Sequence, residues 1–350
     1  HVRPDPKGEH IVLTARGRVF VAPVKQGRLV DFAEKSGVRY RDASFSHDGK
    51  TLYALSDESG EFEFVSLPSN GIGTEKAITN DGKVLRFEGV PSPDGKGLAY
   101  KDLRQRMYIL DLNTGNSTRI STLDNYVGNP AWSPDGKWLA FEEQADNSMV
   151  RIVLYNITTK KHHYLTTDRA NSFSPQWGQD GKFIYFLSDR SFTSLVGSPW
   201  GARQPEPYFD AKMKLYHIPL QKGIRSPFRP ADELYEDAAQ EANDKKDEDA
   251  DEVSIQIDLE GIQQRLAEVP IPAGNYYNLS NTDEALYLQE RTTGLSAKTH
   301  LKVMKIGNEK LELKTLVADI RSYDLAAEGK KLLVRKGSNF YMIKAGTSEV

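Results

Sequence analysis

Short runs of apolar, aromatic and β-branched residues alternate along the whole chain with polar sequences that favour tight turns. Around Ser133-Pro134-Asp135-Gly136-Lys137 the pattern is complete: Asn129-Pro130-Ala131-Trp132 leads into the turn and Trp138-Leu139-Ala140-Phe141 leaves it. Two further strand-like runs follow, Val150-Arg151-Ile152-Val153-Leu154-Tyr155 and His162-His163-Tyr164-Leu165. Asp-Gly is a turn dipeptide because glycine accepts the positive φ that other residues resist, so each unit reads as strand, tight turn, strand.

The unit repeats. Ser46-His47-Asp48-Gly49-Lys50 and Ser92-Pro93-Asp94-Gly95-Lys96 share the pattern, and Gly178-Gln179-Asp180-Gly181-Lys182 is a weaker copy. The glycines at 49, 95, 136 and 181 are 46, 41 and 45 residues apart, the period of a β-propeller blade. Degenerate copies at Asp5-Pro6-Lys7-Gly8, Asn281-Thr282-Asp283-Glu284 and Ala327-Glu328-Gly329-Lys330 bring the number to seven. The prediction is an all-β, seven-bladed propeller of four-stranded antiparallel blades, occupying residues 1–350 as a single domain.

One interval breaks the period. Gly181 and Glu284 lie 103 residues apart, which places a long insertion in the fifth blade, residues 191–270. Within it, residues 233–252 form a run rich in acidic side chains, expected to be a solvated, mobile loop. Ring closure is open at this level: either Val2-Arg3 joins the last blade, or packing between the first and last blades holds the ring.

Composition narrows the function. At 350 residues, length alone suggests two or three domains, but closed β rings are an exception. A formal charge of -3, from 46 basic and 49 acidic residues, supplies no field to gather nucleic acid. The chain contains no cysteine, which excludes disulfides, thiolate zinc sites and a cysteine nucleophile. No apolar stretch approaches the ~18 residues of a membrane span, and a cytoplasmic or a periplasmic location fits equally. The opening His1-Val2-Arg3-Pro4 suggests an excised piece or processed product.

The search for chemistry is sparse. The Gly-x-Ser-x-Gly elbow of a serine hydrolase is missing, and Ser198 and Ser296 fall in loop-like sequence. His162 and His163 are adjacent in a predicted strand and so face opposite ways, which disfavours a metal pair. Gly71-Ile72-Gly73-Thr74 lacks the rest of a dinucleotide fingerprint. No cofactor, metal or catalytic residue is expected, and a lyase or glycosidase on this fold needs convergent carboxylates that the sequence does not single out.

What remains is the central channel, lined in a propeller by the first strand of each blade. Counting seven to nine places back from the turn glycine gives Arg41, Asp42, Arg86, Glu88, Asn129, Ser172, Ser174, Arg321 and Ser322. A polar rim of this kind offers arginine forks to the carboxylates of an extended peptide, or pairs internally and holds water.

The Ser-Pro-Asp-Gly-Lys repeat is similar to the blade motif of TolB-like propellers and of tricorn-type proteases. Ser226-Pro227-Phe228, Ile257-Asp258-Leu259-Glu260-Gly261-Ile262 with Arg265, and Pro270-Ile271-Pro272-Ala273-Gly274-Asn275-Tyr276 more specifically resemble the second, seven-bladed propeller of the tricorn family. The resemblance implies a parent serine peptidase, oligomeric and trimming peptides. It implies neighbouring protease and propeller domains, and this ring as a channel or filter for peptides. The family's catalytic residues belong to other domains, so none is assigned here and the fragment alone is expected not to be an enzyme. The alternative is a stand-alone TolB-like propeller that docks a protein partner.

Overall fold

The computed structural model describes residues 1–32, 35–191, 209–232, 254–309 and 311–346. Consecutive stretches of chain form seven antiparallel sheets, each built from successive strands. Blade one is β1 (Val2–Pro4), β2 (His10–Ala15), β3 (Arg18–Pro23) and β4 (Val30–Asp31); blade two is β5 (Tyr40–Phe45), β6 (Thr51–Ser56), β7 (Glu63–Pro68) and β8 (Lys76–Ala77). Blade three holds β9 (Val90–Pro91), β10 (Gly97–Lys101), β11 (Met107–Asp111) and β12 (Ser117–Arg119); blade four holds β13 (Val127–Trp132), β14 (Trp138–Gln144), β15 (Val150–Asn156) and β16 (His162–Tyr164). Blade five is β17 (Ser172–Trp177), β18 (Phe183–Ser188), β19 (Lys214–Pro219) and β20 (Ala267–Glu268); blade six is β21 (Tyr276–Asn281), β22 (Ala285–Arg291), β23 (Thr299–Lys305) and β24 (Lys314–Val317). Blade seven shows three strands among the described residues, β25 (Ser322–Leu325), β26 (Lys331–Lys336) and β27 (Asn339–Lys344). The seven-bladed propeller expected from the repeat is the fold.

The predicted turns fall between the first and second strands of their blades, and their hydrogen bonds explain the motif. In the three strong copies the serine hydroxyl donates to the aspartate two residues on, at 2.6, 2.5 and 2.6 Å for Ser46, Ser92 and Ser133. The same hydroxyl accepts the N–H of Thr51, Gly97 or Trp138. The aspartate accepts the lysine N–H at 3.0, 3.0 and 3.1 Å, and the glycine takes φ of 72°, 69° and 67°. The serine hydroxyl, one aspartate oxygen and the lysine N–H of each turn are thereby paired within the turn.

Strand alternation sends one set of side chains to each neighbouring blade. Between blades three and four, Ala99, Met107 and Ile120 meet Leu139, Phe141 and Val153. Between blades four and five, Ile152, Leu154 and Leu165 meet Ile184, Phe186 and Ile218. Six such buried apolar clusters occur among the described residues, one for each interface from blades one and two to blades six and seven. Each fully buried large side chain contributes about 1.5–3 kcal/mol. Trp132 and Trp177 add a directional tie, donating their indole N–H at 2.9 Å to the carbonyls of Val90 and Ala131 in the preceding blade.

Val2–Pro4 pairs with β2 of its own blade, not with β27. Of the two closures left open by the sequence, the described residues show contact between the first and last blades without strand exchange. The predicted 191–270 insertion falls partly on residues 192–208 and 233–253, and its charged stretch 233–252 lies outside the described residues. The described part contains β19 and β20, two of blade five's own strands. It also contains residues that complete the core: Ile255 and Ile262 join the cluster of blades four and five, while Phe228, Val269 and Ile271 join that of blades five and six. Arg265 pins this segment by donating to the carbonyls of Pro219, Leu220, Asp258 and Glu260 at 2.9, 3.0, 2.5 and 3.1 Å.

Candidate functional site at the ring axis

The first strands carry a repeated irregularity. β5, β13, β17 and β21 each shift register against the second strand, between Arg41 and Ser44, Gly128 and Ala131, Phe173 and Gln176, and Tyr277 and Ser280. In each shift one residue takes a left-handed backbone: Asp42 (φ 51°), Asn129 (45°), Ser174 (52°) and Asn278 (52°). Short polar side chains tolerate this conformation better than others, and a bulge re-aims its residue. The freed N–H groups are taken by the preceding blade. Ser174 N–H donates to the Glu142 carboxylate at 2.6 Å, and Ala43 N–H donates to the Thr14 hydroxyl at 3.1 Å.

Glu142 is fully buried and also accepts from the Asn129 amide at 2.6 Å and the Tyr126 hydroxyl at 2.7 Å. Burial pushes its carboxyl above the usual range, and these three donors oppose the shift only in part. Asn278 repeats the arrangement in blade six, donating to Gln289 at 2.9 Å.

A second cluster gathers around Arg3 on β1. Its guanidinium grips Glu88 at 2.8 Å through both Nε and Nη2, and its Nη1 donates to Asp324 of β25. The His1 ring lies 3.3 Å from Glu88 and 3.8 Å from Asp42. Burial pushes the Asp324 carboxyl up to about 6 against the pull of Arg3. Asp42 is raised for the same first reason. Burial works against the charge of Arg3, but Glu88 and Asp324 more than offset it and its pKa is raised. A cavity of about 420 Å³ opens here, lined by Arg3, Ser44, Glu88, Gln176 and Asp324 from five different blades.

The residues picked from the sequence divide. Asp42, Glu88, Asn129 and Ser174, all seven places before the glycine, enter the two clusters just described. Arg41 is exposed, with its guanidinium 5.3 Å from the Phe62 ring centre and 3.9 Å from Asp42. Arg321 is exposed, its N–H bonded to Arg335 O at 2.7 Å, and Ser322 pairs with Arg335 in the ladder. Arg86 and Ser172, nine places before the glycine, lie inside the wall. Arg86 is 2% exposed and joins Glu63 at 2.7 Å and Asp81 at 2.5 Å, while the Ser172 hydroxyl is buried without a partner. For Ser172 the count crosses the bulge of β17, which breaks the alternation it assumes; Arg86 stands outside the strand, at an isolated bridge to Asp102.

Arg3, Asp324, His1 and Asn278 were missed. Arg3 and Asp324 stand five places before Gly8 and Gly329, one strand period beyond the count used. His1 stands seven places before Gly8, and the sixth turn at Thr282 to Glu284 has no glycine from which to count.

Elsewhere, His162 and His163 do face different neighbours, Nε2 of the first 2.5 Å from Ile120 O and the second ring 6.0 Å from Trp138. Ser198 lies outside the described residues. Among the described residues no cluster of three or more His, Asp or Glu is placed to hold a metal, and no helix is long and apolar enough to cross a membrane.

Fold and axis together define a seven-bladed β-propeller with a polar, ion-paired centre. A family profile, the second β-propeller domain of tricorn proteases, matches residues 1–346, and the chain belongs to that family. A tricorn protease homolog of Saccharolobus solfataricus is 25% identical over 341 residues, covering 93% of this chain and 29% of the relative. Tricorn protease homolog 1 of Streptomyces coelicolor is 24% identical over 357 residues, covering 95% of this chain and 32% of the relative. The crystal structure of the tricorn protease superposes with a TM-score of 0.77 at 17% identity, over 98% of this chain and 33% of that one. The chain thus spans about a third of the length of these relatives.

Proposed function

We propose that this propeller is a non-catalytic domain of a tricorn-like serine protease, serving as a channel or filter for peptides and as a scaffold for neighbouring protease and propeller domains in an oligomeric parent. The observation that carries the reading is the family match over residues 1–346, joined to an axis lined by polar groups from most blades. Asp42, Glu88, Asn129 and Ser174 are the side chains we assign to the wall that a peptide meets. Their chemistry suits passage rather than reaction. Arg3 already holds Glu88 and Asp324, and Glu142 is saturated by three donors, so neither is free to activate a nucleophile.

A peptidase assay on the purified chain, with fluorogenic peptides, tests the first half of this reading, and no turnover above buffer is expected. Activity that co-migrates with the protein through repurification defeats it. The second half is tested in the parent enzyme. Replacing Asn129 and Ser174 with bulkier side chains should slow long peptides at the axis while leaving short ones unaffected; equal effects on both lengths contradict a channel.

A further inference from the structure

In blades one to five the apolar residue that immediately follows the fourth strand bonds back to a carbonyl of the third: Phe32 N–H to Val19, Ile78 to Phe64, Ile120 to Met107, Leu165 to Ile152 and Val269 to Leu215, at 2.8–3.3 Å. Ile320 does the same in blade six, on Thr299 O at 2.9 Å. All six side chains enter the apolar cluster shared with the next blade. Blade seven has the acceptor without the donor. Ala345 N–H on Lys330 O is the counterpart of Val24 on Glu9 O, Ser69 on Lys50 O, Leu112 on Lys96 O, Ile157 on Lys137 O and Leu220 on Lys182 O. In blades one to five the accepting carbonyl stands five residues before that position, which in blade seven is Phe340. Among the described residues no N–H reaches Phe340 O from a fourth strand, and no apolar cluster joins blades seven and one. The facing wall is prepared as well. Ile11, Leu13 and Phe20 of blade one hold the places of Leu139, Phe141 and Val153 in blade four, as the matching bonds Asp5 N–H to His10 O and Ser133 N–H to Trp138 O fix for the second strands, and those of Val24 and Ile157 for the third. The blade-four residues share a cluster with Ile120 and are fully buried, whereas Ile11, Leu13 and Phe20 stay half-buried.

We propose that the seam between blades seven and one is a strand-binding slot, filled by an extended segment of the parent polypeptide from outside residues 1–350: a few polar residues paired antiparallel to β27, then one aliphatic residue seated between the two blades. The other blades show the chemistry of the occupant, as in Ser117-Thr118-Arg119-Ile120 and Lys76-Ala77-Ile78. In blades three and four, five residues separate the third strand from the fourth. The same count from the end of β27 reaches position 350 for the first residue of a fourth strand, so the aliphatic residue after it lies outside residues 1–350. The edge of β27 has the groups to hold such a strand. The bond from Ala345 to Lys330 makes Lys331 and Lys344 a pair without mutual hydrogen bonds, so by alternation Ile343 and Tyr341 bond β26 while the N–H and C=O of Phe340 and Met342 face outward. An unpaired edge of this kind is a template for one more strand, and an aliphatic side chain over Leu13 and Phe20 removes their surface from water. Arg3 on Asp324, Glu328 on Pro6 and Lys331 on Gly8 already hold the two blades together, so the slot is formed before it is filled. The proposal rests on the reading of this chain as one domain of a longer protease, and not on the passage of peptides along the axis; a strand shared in this way ties the propeller to the domain that donates it.

The probe is a copy of Asn116-Ser117-Thr118-Arg119-Ile120-Ser121 appended after Val350 through a flexible Gly/Ser linker, which keeps the strand at high effective concentration. A control chain carries Ile120→Asp in the appended copy only, leaving the propeller itself unaltered. In the chain without an appendage, the amides of Phe340 and Met342 should exchange hydrogen faster than those of Tyr341 and Ile343. The appended strand should slow exchange at Phe340 and Met342 by about tenfold or more and raise the melting temperature by about 2 °C, and the control should do neither. Equal protection by the control, or none from the appended strand, overturns the proposal. Protection of Phe340 and Met342 in the unappended chain overturns it too: if it grows with protein concentration, a second copy covers the edge, and if it does not, the edge is already closed. Peptidase activity in the purified chain defeats the proposed function without moving these amides, so the two readings fail separately.

Discussion

Between blades four and five, Ile152 and Leu154 of one sheet and Ile184 and Phe186 of the next are fully buried against each other. Between blades seven and one, the side chains of blade one that point away from blade two, Ile11, Leu13 and Phe20, stay half-buried, and the connections are the polar ones around Gly8, Arg3 and Asp324. Both contacts join equivalent edges of one repeat. The apolar one is strong and non-directional; the polar one is weaker and geometric. A ring closed without strand exchange thus has one joint unlike the rest, and stability should be distributed accordingly.

The sharpest way to break the comparison is to cut the strong side. Phe186→Ala empties a fully buried position and should cost about 3–5 kcal/mol in denaturant unfolding; a loss no greater than that of a seam variant removes the distinction. Next comes a charge inside the apolar side. His217 is fully buried, with Phe183, Tyr185 and Phe228 around its ring and neither nitrogen in a hydrogen bond of good geometry. Burial takes its imidazole down to about 4, and the nearby Ala267 backbone offsets this only in part. A histidine with a depressed folded-state value contributes stability that is present above its ordinary 6.5 and is lost as pH falls towards 4. That loss should reach about 3 kcal/mol, and His217→Phe should remove the slope, as melting curves across this range will show. Acidification then weakens the contact of blades five and six.

On the polar side, Arg3→Met strands two carboxylates, Glu88 and Asp324. Because the arginine side chain is 36% exposed, solvent screening limits the cost to about 2 kcal/mol rather than that of a deeply buried pair. Hydrogen exchange should place the loss in β1 and β25, and a loss spread evenly over all blades argues against a local seam. Smallest of all, Leu13→Ala should cost under about 1 kcal/mol in the same denaturant titration, since its site is already partly open. A larger value means that apolar contact, not charge, closes the ring.

Much of this architecture is written locally. The turns were legible because Ser-x-Asp-Gly-Lys satisfies its own hydrogen bonds and its glycine sits at positive φ, so five adjacent residues suffice to recognise a blade. The axial residues were half legible. A fixed count from the glycine reached Asp42, Glu88, Asn129 and Ser174, but it also landed on Arg86, at an isolated bridge before β9, and on Ser172, at the start of the bulged β17, both inside the wall. Arg3 and Asp324 were not legible as partners, since 321 positions separate them and only the finished ring brings them together. The same holds for Ser174 N–H and Glu142, a donor and an acceptor supplied by neighbouring blades.

The self-sufficient turns also set an order of events in folding. Each hairpin of first and second strands closes over a loop of a few residues, a step of microseconds that needs nothing from the remainder of the polypeptide. Docking one hairpin stack on its predecessor extends an arc by short-range encounters. Only the meeting of blades one and seven, through Arg3 on Asp324, Glu328 on Pro6 and Lys331 on Gly8, spans nearly the full contour, so the entropy of bringing distant ends together is concentrated in a single last event. Until that event the growing arc presents the two outer faces of blades one and seven to any other arc nearby, and dilution becomes the kinetic safeguard of the ring.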